Sequence, residues 1–300
     1  MKGISLLLLG LLACAPVALA ETCAGTDCLP KEVKDSCTVS SPSGCIDWEK
    51  GIVYATGMGV PNESFKSAAQ KRYSAYQAAR VVAQRNLLGL IEDINITSTQ
   101  TVKMGMLEND EINIAIQGKI KHVEEFGKPK EAQDGSTWVT MRMYLRDIVS
   151  VMLKNEMFEA SDKLPALEKS AATPAAPKPE IEYGGDAKTI YSGLVIDARG
   201  SGIKPAMSPK VLNAEGIEVY GSFAIEREFA LEYGVASYLK DLKKAKENDR
   251  VKGNPLFIKG EAAGGAKGAD VKISKEDGEL LKELEKSQAF LREARVIIVL

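Results

Sequence analysis

Residues 161–187, SDKLPALEKSAATPAAPKPEIEYGGDA, divide this chain more firmly than any other stretch. Four prolines and six alanines with no apolar period cannot extend a helix or fill a central strand, so the segment reads as a linker. It leaves two units, about 49–160 and 188–300, each long enough for its own core and free to move relative to the other.

The N-terminus, MKGISLLLLGLLACAPVALA, has a lysine, an apolar run and a small-x-small site ending at Ala20, the pattern of a secretory signal peptide over residues 1–20. Leu11-Leu12-Ala13-Cys14 also approximates a lipobox, which would make Cys14 a lipidated first residue. Cleavage after Ala20 is the favoured reading, because Leu12 is large for a lipobox and the apolar run continues past Cys14. No later run reaches the ~18 apolar residues of a membrane-spanning helix. The expectation is an exported protein, periplasmic or associated with the outer membrane.

Cys23, Cys28, Cys37 and Cys45 are the remaining cysteines. An even cluster in an exported chain reads as two disulfides, with three pairings open, so residues 21–48 form a stapled N-terminal segment. Neither C-x2-C nor C-x-x-C-H occurs, which argues against a zinc site or haem attachment.

Residues 51–60 read as a strand, followed by a helix over 64–92 with Asn62 as its N-cap and Phe65, Ala69, Arg72, Tyr76, Ala79, Ala83, Leu87 and Leu90 marking one face. Three segments alternate apolar and polar residues after it: Ile94 to Met104, Ile112 to Phe126, and Val139 to Leu145. Their period predicts an antiparallel sheet, wet on one face and covered by the helix on the other, and a short helix at about 147–159 closes the unit. In the second unit, the strands TIYSGLVIDARG, NPLFIKGEAAG, ADVKIS and ARVIIVL, a hairpin around Glu215-Gly216, and helices at about 225–246 and 275–294 follow from the same rules. The fold class expected is α+β, two small domains, each an antiparallel or mixed sheet packed on a long helix.

Gly57-Met58-Gly59 between strand and helix suggests a dinucleotide site, but the pattern G-x-G-x-x-G needs a third glycine where Asn62 stands, and Pro61 removes a backbone donor. The glycines are read instead as a turn from sheet to helix. IDARGSGIKP offers Arg199 and Lys204 as candidate anion contacts around Gly200 and Gly202, against a plain tight turn. His122 is the one histidine; it is placed on a strand, sharing a face with Glu124 as a candidate general base or, more simply, a packed side chain. No catalytic residue, cofactor or metal ligand is assigned. With 39 basic and 41 acidic residues, the formal charge of −2 carries no nucleic-acid signal.

ATGMGVPN, the helix segment AYQAARVVAQRNLLGLI, ITSTQTVK, IQGKIKHVEE and DGSTWVTMRMYL, in that order, resemble the Lpp-twenty (FlgP-like) family of bacterial envelope lipoproteins over about residues 50–150. None of these motifs is catalytic. The resemblance implies a small α+β domain in the cell envelope that assembles into rings or disks, of flagellar type among others. YSGLVIDARG, KPAMSPKVLN and VYG also resemble C-terminal regions of uncharacterised exported proteins. The expected function is therefore a non-enzymatic envelope assembly component, partnered by itself or by other envelope proteins. The alternatives are a periplasmic binding module for an envelope polymer or small anion and, third, a hydrolase built on His122 or paired carboxylates.

Overall fold

The structure is a computed structural model that describes residues 29–157, 164–168, 173–174, 180–264 and 268–300. The expected signal segment, with Cys14, Cys23 and Cys28, lies outside the described residues. The chain is α+β, with sheets packed against helices.

The first unit begins with α1 (Lys31–Ser36), β1 (Val39–Ser41), β2 (Gly44–Asp47) and β3 (Ile52–Gly59), then the long helix α2 (Ala68–Glu92). Helices α3 (Val102–Glu108) and α4 (Asp110–Lys121) follow, then β4 (Glu124–Glu125), β5 (Lys130–Glu131), β6 (Thr137–Tyr144) and α5 (Leu145–Lys154). The strands make one antiparallel sheet in the order β1-β2-β3-β6-β4, with β5 also on β6. Along β6, Thr137, Val139, Met141 and Met143 are buried while Trp138, Thr140, Arg142 and Tyr144 are half-buried, as the alternation predicts.

The two glycines of GMG do not turn the chain. They lie within β3, on the face that meets α2, opposite Val139 and Thr137 of β6. A Cβ on Gly57 would lie 2.1 Å from the backbone N of Ala83, and one on Gly59 would lie 2.0 Å from the carbonyl oxygen of Ala75. With Ala75, Ala79 and Ala83 fully buried on the helix side, strand and helix meet backbone to backbone. This corrects the turn reading: the glycines serve close approach, and the helix begins only at Ala68, with Ser67 rather than Asn62 as its N-cap residue.

The second correction concerns the first two alternating segments: Ile94 to Thr101 form a turn closed by an Asn95–Thr101 bridge that leads into α3, and Ile112 to Lys121 lie in α4, with only Glu124–Glu125 on a strand. The string of isoleucines at 112, 114, 116 and 120 contains a period-two pattern and also an i, i+4, i+8 series. The helix uses the second, burying Ile112, Ile116 and Ile120 and leaving Ile114 71 % exposed. Local chemistry favours it, because the side chain of Asn109 accepts from the backbone N–H groups of Glu111 and Ile112, and Thr101 caps α3 through Met104 N.

On the other face of the sheet, α1 packs Val33 against Ile52 and Tyr54, and Cys37 is bonded to Cys45. This disulfide closes a short loop, a constraint of about 2.5 kcal/mol in the chain-entropy account.

The linker contributes β7 (Thr173–Pro174), and the second unit contains β8 (Thr189–Ile190), β9 (Leu194–Asp197), β10 (Val211–Leu212), β11 (Glu218–Tyr220), α6 (Arg227–Tyr233) and β12 (Ser237–Leu239). It continues through α7 (Leu242–Glu247), β13 (Leu256–Lys259), β14 (Glu261–Ala262), β15 (Val271–Lys272), α8 (Lys275–Ser287) and β16 (Val296–Val299). Its central sheet, β12-β16-β9-β13, is wholly parallel, beside a mixed sheet β11-β10-β15-β14. Every residue of β9 and β16 is buried, as two covered faces demand. The single helix expected at 225–246 is broken at Gly234, which adopts φ +68° and frees the chain to enter β12.

The two units are not loosely tethered. One continuous core runs from Ile46 and Leu87 to Leu194 and Ile298. Met207 N donates to Asn95 O at 2.9 Å, Ser208 N donates to Ile96 O at 2.8 Å, and the Trp48 and Tyr238 rings meet edge-on at 5.3 Å. The described pieces of the linker also lie on the second unit, through Arg292 to Pro165 O and Gly184 N to Phe257 O.

Gly57→Ala should lower the urea midpoint by an amount corresponding to ~2–4 kcal/mol, because backbone must move to admit one methyl. Gly89→Ala, on α2, where a Cβ meets nothing, should raise stability by ~0.5–1 kcal/mol. Equilibrium urea unfolding of both variants checks the pair.

Candidate functional site

Two places bring chemistry-bearing side chains together. The first is the carboxyl edge of the parallel sheet, where open α/β sheets hold their ligands. The register sets Lys259, last in β13, beside Asp197, last in β9. The buried carboxylate of Asp197 accepts from Arg199 Nε at 2.8 Å and Nη2 at 3.0 Å, from Lys259 Nζ at 2.6 Å and from the Tyr183 hydroxyl at 2.5 Å. Lys259 Nζ also sits 4.0 Å from the centre of the Tyr183 ring. These donors, with Arg199 the strongest, hold the carboxyl of Asp197 well below the usual carboxylate range, and Arg199 and Lys259 are raised in turn. Such a carboxylate is a poor proton acceptor and a good anchor. Tyr183 belongs to the linker, so the cluster clamps the linker's end onto the sheet.

The sequence candidates fall here only in part. Arg199 is present, but two of its guanidinium nitrogens are engaged by Asp197, in a pair whose anion is buried rather than exposed. Lys204 is exposed, and its backbone N–H is held by Gly268 O. Gly200 and Gly202 adopt φ of +76° and +75°, as a tight turn requires. His122 is corrected outright: it is the exposed C-cap of α4, not a strand residue, and Glu124 pairs with Arg142 at 2.9 Å.

The second place is a cleft of about 430 Å³ at the junction of the units. Trp48, Glu49, Lys50 and Gly51 of the β2–β3 turn form one wall. The other comes from the end of α6, from Asn248 to Arg250, and from Glu293 and Arg295. Arg250 organises that wall: its guanidinium donates to Tyr233 O at 2.8 Å, Gly234 O at 2.9 Å, Ala294 O at 2.6 Å and Ser237 Oγ at 2.7 Å. A cation thereby closes the carbonyl end of α6, where the helix dipole favours it. Burial pushes the Arg250 pKa down to about 10, so the group stays charged at neutral pH. The Tyr233 hydroxyl bonds to Glu232, which raises the tyrosine pKa.

Sequence reasoning missed Lys259, Tyr183, Arg250 and Trp48. One signal was available for the first: LVID and LFIK are apolar four-residue runs, each ending on a charge, and in parallel register those charges must meet.

Residues 193–300 match the family described as Treponema pallidum Tp0624, second domain. The match covers the second unit, from β9 through β16, and lies outside the 50–150 stretch that carries the Lpp-twenty resemblance. No curated protein matches the chain.

Because its folded pKa lies below the unfolded value of ~3.9, Asp197 contributes stability that is complete above about pH 5 and is lost as the pH falls through and below 4. Asp197→Asn should lower stability at pH 7 by ~1–3 kcal/mol, since Arg199 and Lys259 can still reach water. The gap between variant and parent should narrow progressively between pH 5 and 2 in denaturant titrations.

Proposed function

We propose that this protein is a non-enzymatic exported component of a bacterial cell envelope that works by assembly, with itself or with other envelope proteins, at the periplasm or outer membrane. The observation that carries the reading is a basic face on α2 and an acidic patch at the α3–α4 junction, each holding exposed apolar side chains. Helix α2 contains no carboxylate before Glu92 and exposes Arg72 and Arg85 beside Tyr73 and Val81. On α3 and α4, Leu107 is 78 % exposed and Ile114 scarcely less, among Glu108, Asp110 and Glu111.

Large apolar side chains rimmed by charge mark association surfaces, and opposite charge lets one copy's basic face meet another's acidic face. Such a contact is heterologous, and repetition closes it into a ring or extends it as a filament. The signal-type N-terminus and the Lpp-twenty resemblance support the same reading, with a flagellar-type or other envelope ring as the class of assembly they suggest.

The alternative, a binding module for a small anion at Arg199 and Lys204, loses support from the occupied guanidinium of Arg199. The hydrolase reading loses its His122–Glu124 pair.

The test is solution mass by light scattering across a concentration series. A defined oligomer that dissociates in both Val81→Glu and Ile114→Lys is the expected outcome. A mass equal to the monomer at every concentration would sink self-assembly as the role.

A further inference from the structure

We propose that the cleft between the two units binds an organic cation carrying a primary ammonium group, the class of diamines, basic amino acids and amino sugars. The argument rests on which charges in its walls are already satisfied. Arg250 is held by three carbonyls and a hydroxyl. Arg295 is paired with Glu293 at 2.7 Å, and Lys50 Nζ lies 3.7 Å from the buried carboxylate of Asp47. Arg295 and Lys50 thus face carboxylates of the protein, whereas Arg250 keeps its charge among neutral partners. On the acidic side, Glu49 and Glu232 have no basic partner among the described residues, and Asp249 has only an exposed contact with Lys252 at 3.9 Å. With four carboxylates to three cations the lining is acidic by one charge, and the carboxylates it leaves for a ligand are Glu49 and Glu232.

The apolar part of the lining agrees. Phe229 and Tyr233 stack at 6.5 Å, and Tyr233 remains 49 % exposed with Arg250 already 5.9 Å from its ring centre; Trp48, on the opposite wall, is almost wholly buried. Aromatic faces attract ammonium groups through the ring quadrupole, while a carboxylate supplies the charge-assisted hydrogen bond. A hard divalent ion is the poorer fit, because it needs several oxygens converging on one point. Among the described residues no group of three or more histidine, cysteine or acidic side chains meets that condition. The volume suits one small molecule. Because Glu49 belongs to the first unit and Glu232 to the second, a bound cation would bridge the two.

The experiment is calorimetric titration of the full chain with cadaverine, lysine and glucosamine, alongside their N-acetylated counterparts, with tryptophan fluorescence in parallel. The chain has two tryptophans, so Trp48→Phe assigns the optical signal. The expected result is binding of at least one free amine, lost on acetylation, weakened about tenfold by Glu49→Gln or Glu232→Gln, and unchanged by Glu108→Gln on the distant α3. The substituted carboxylates are exposed, and matching melting midpoints would confirm that the variants fold. Absence of binding at millimolar amine, equal binding of the acetylated forms, or equal affinity in all the glutamine variants would each overturn the proposal.

Discussion

The close approach of β3 and α2 is the constraint on which the first unit depends. Gly57 and Gly59 remove the side chains that would hold strand and helix at the usual distance, and three alanines on the helix accept the vacated space. Gly44 repeats the device on β2, where a Cβ would fall 2.5 Å from Leu90 Cδ1. The gain is dense packing over a long helix; the cost is that these positions tolerate no larger residue. With α2 drawn in, its basic outer face is held rigidly, and the Asn95–Ile96 turn just beyond its end can dock on Met207 and Ser208 of the second unit.

That docking changes what the proline-rich stretch does. A composition of alanine and proline describes a chain unable to make a core, but it does not say where the chain lies. Its described parts lie along the second unit, and Tyr183 reaches the Asp197 cluster. The N-terminal staple makes a comparable reach, with Lys240 Nζ donating to Cys37 O at 2.6 Å. The linker therefore helps define the sheet edge through Tyr183, and the staple ties the first unit to the second through Lys240.

Much of the architecture was legible because burial follows simple periods. The alternation of β6, the β10–β11 hairpin and the buried runs of β9 and β16 appear where their patterns place them; the face of α2 does so from Tyr76 on, while Phe65, Ala69 and Arg72, on the same period, are exposed. The failures have a common physical origin. Isoleucines at even spacing satisfy strand and helix periods together, and only the caps at Thr101 and Asn109 separate the two. A GMG motif between strand and helix satisfies both a turn and a close contact, and the deciding partner, an alanine ladder, lies twenty residues downstream. The candidate site was legible only at Arg199, since Lys259, Tyr183 and Arg250 become neighbours through parallel pairing and linker docking, which no local window contains.

The order of strands in the parallel sheet bears on how the chain acquires its structure. Leu194 opens β9, yet its neighbour in the sheet is Val296, and β16 lies between β9 and β12. Until those distant residues are synthesised, β12 has no neighbour in the sheet, and the LVID run of β9 can pair on one side only, with β13. Such long-range closure is slow and keeps the nascent chain open. If the chain is exported, as proposed above, late closure delays the moment when the segment becomes too compact to pass a translocation pore.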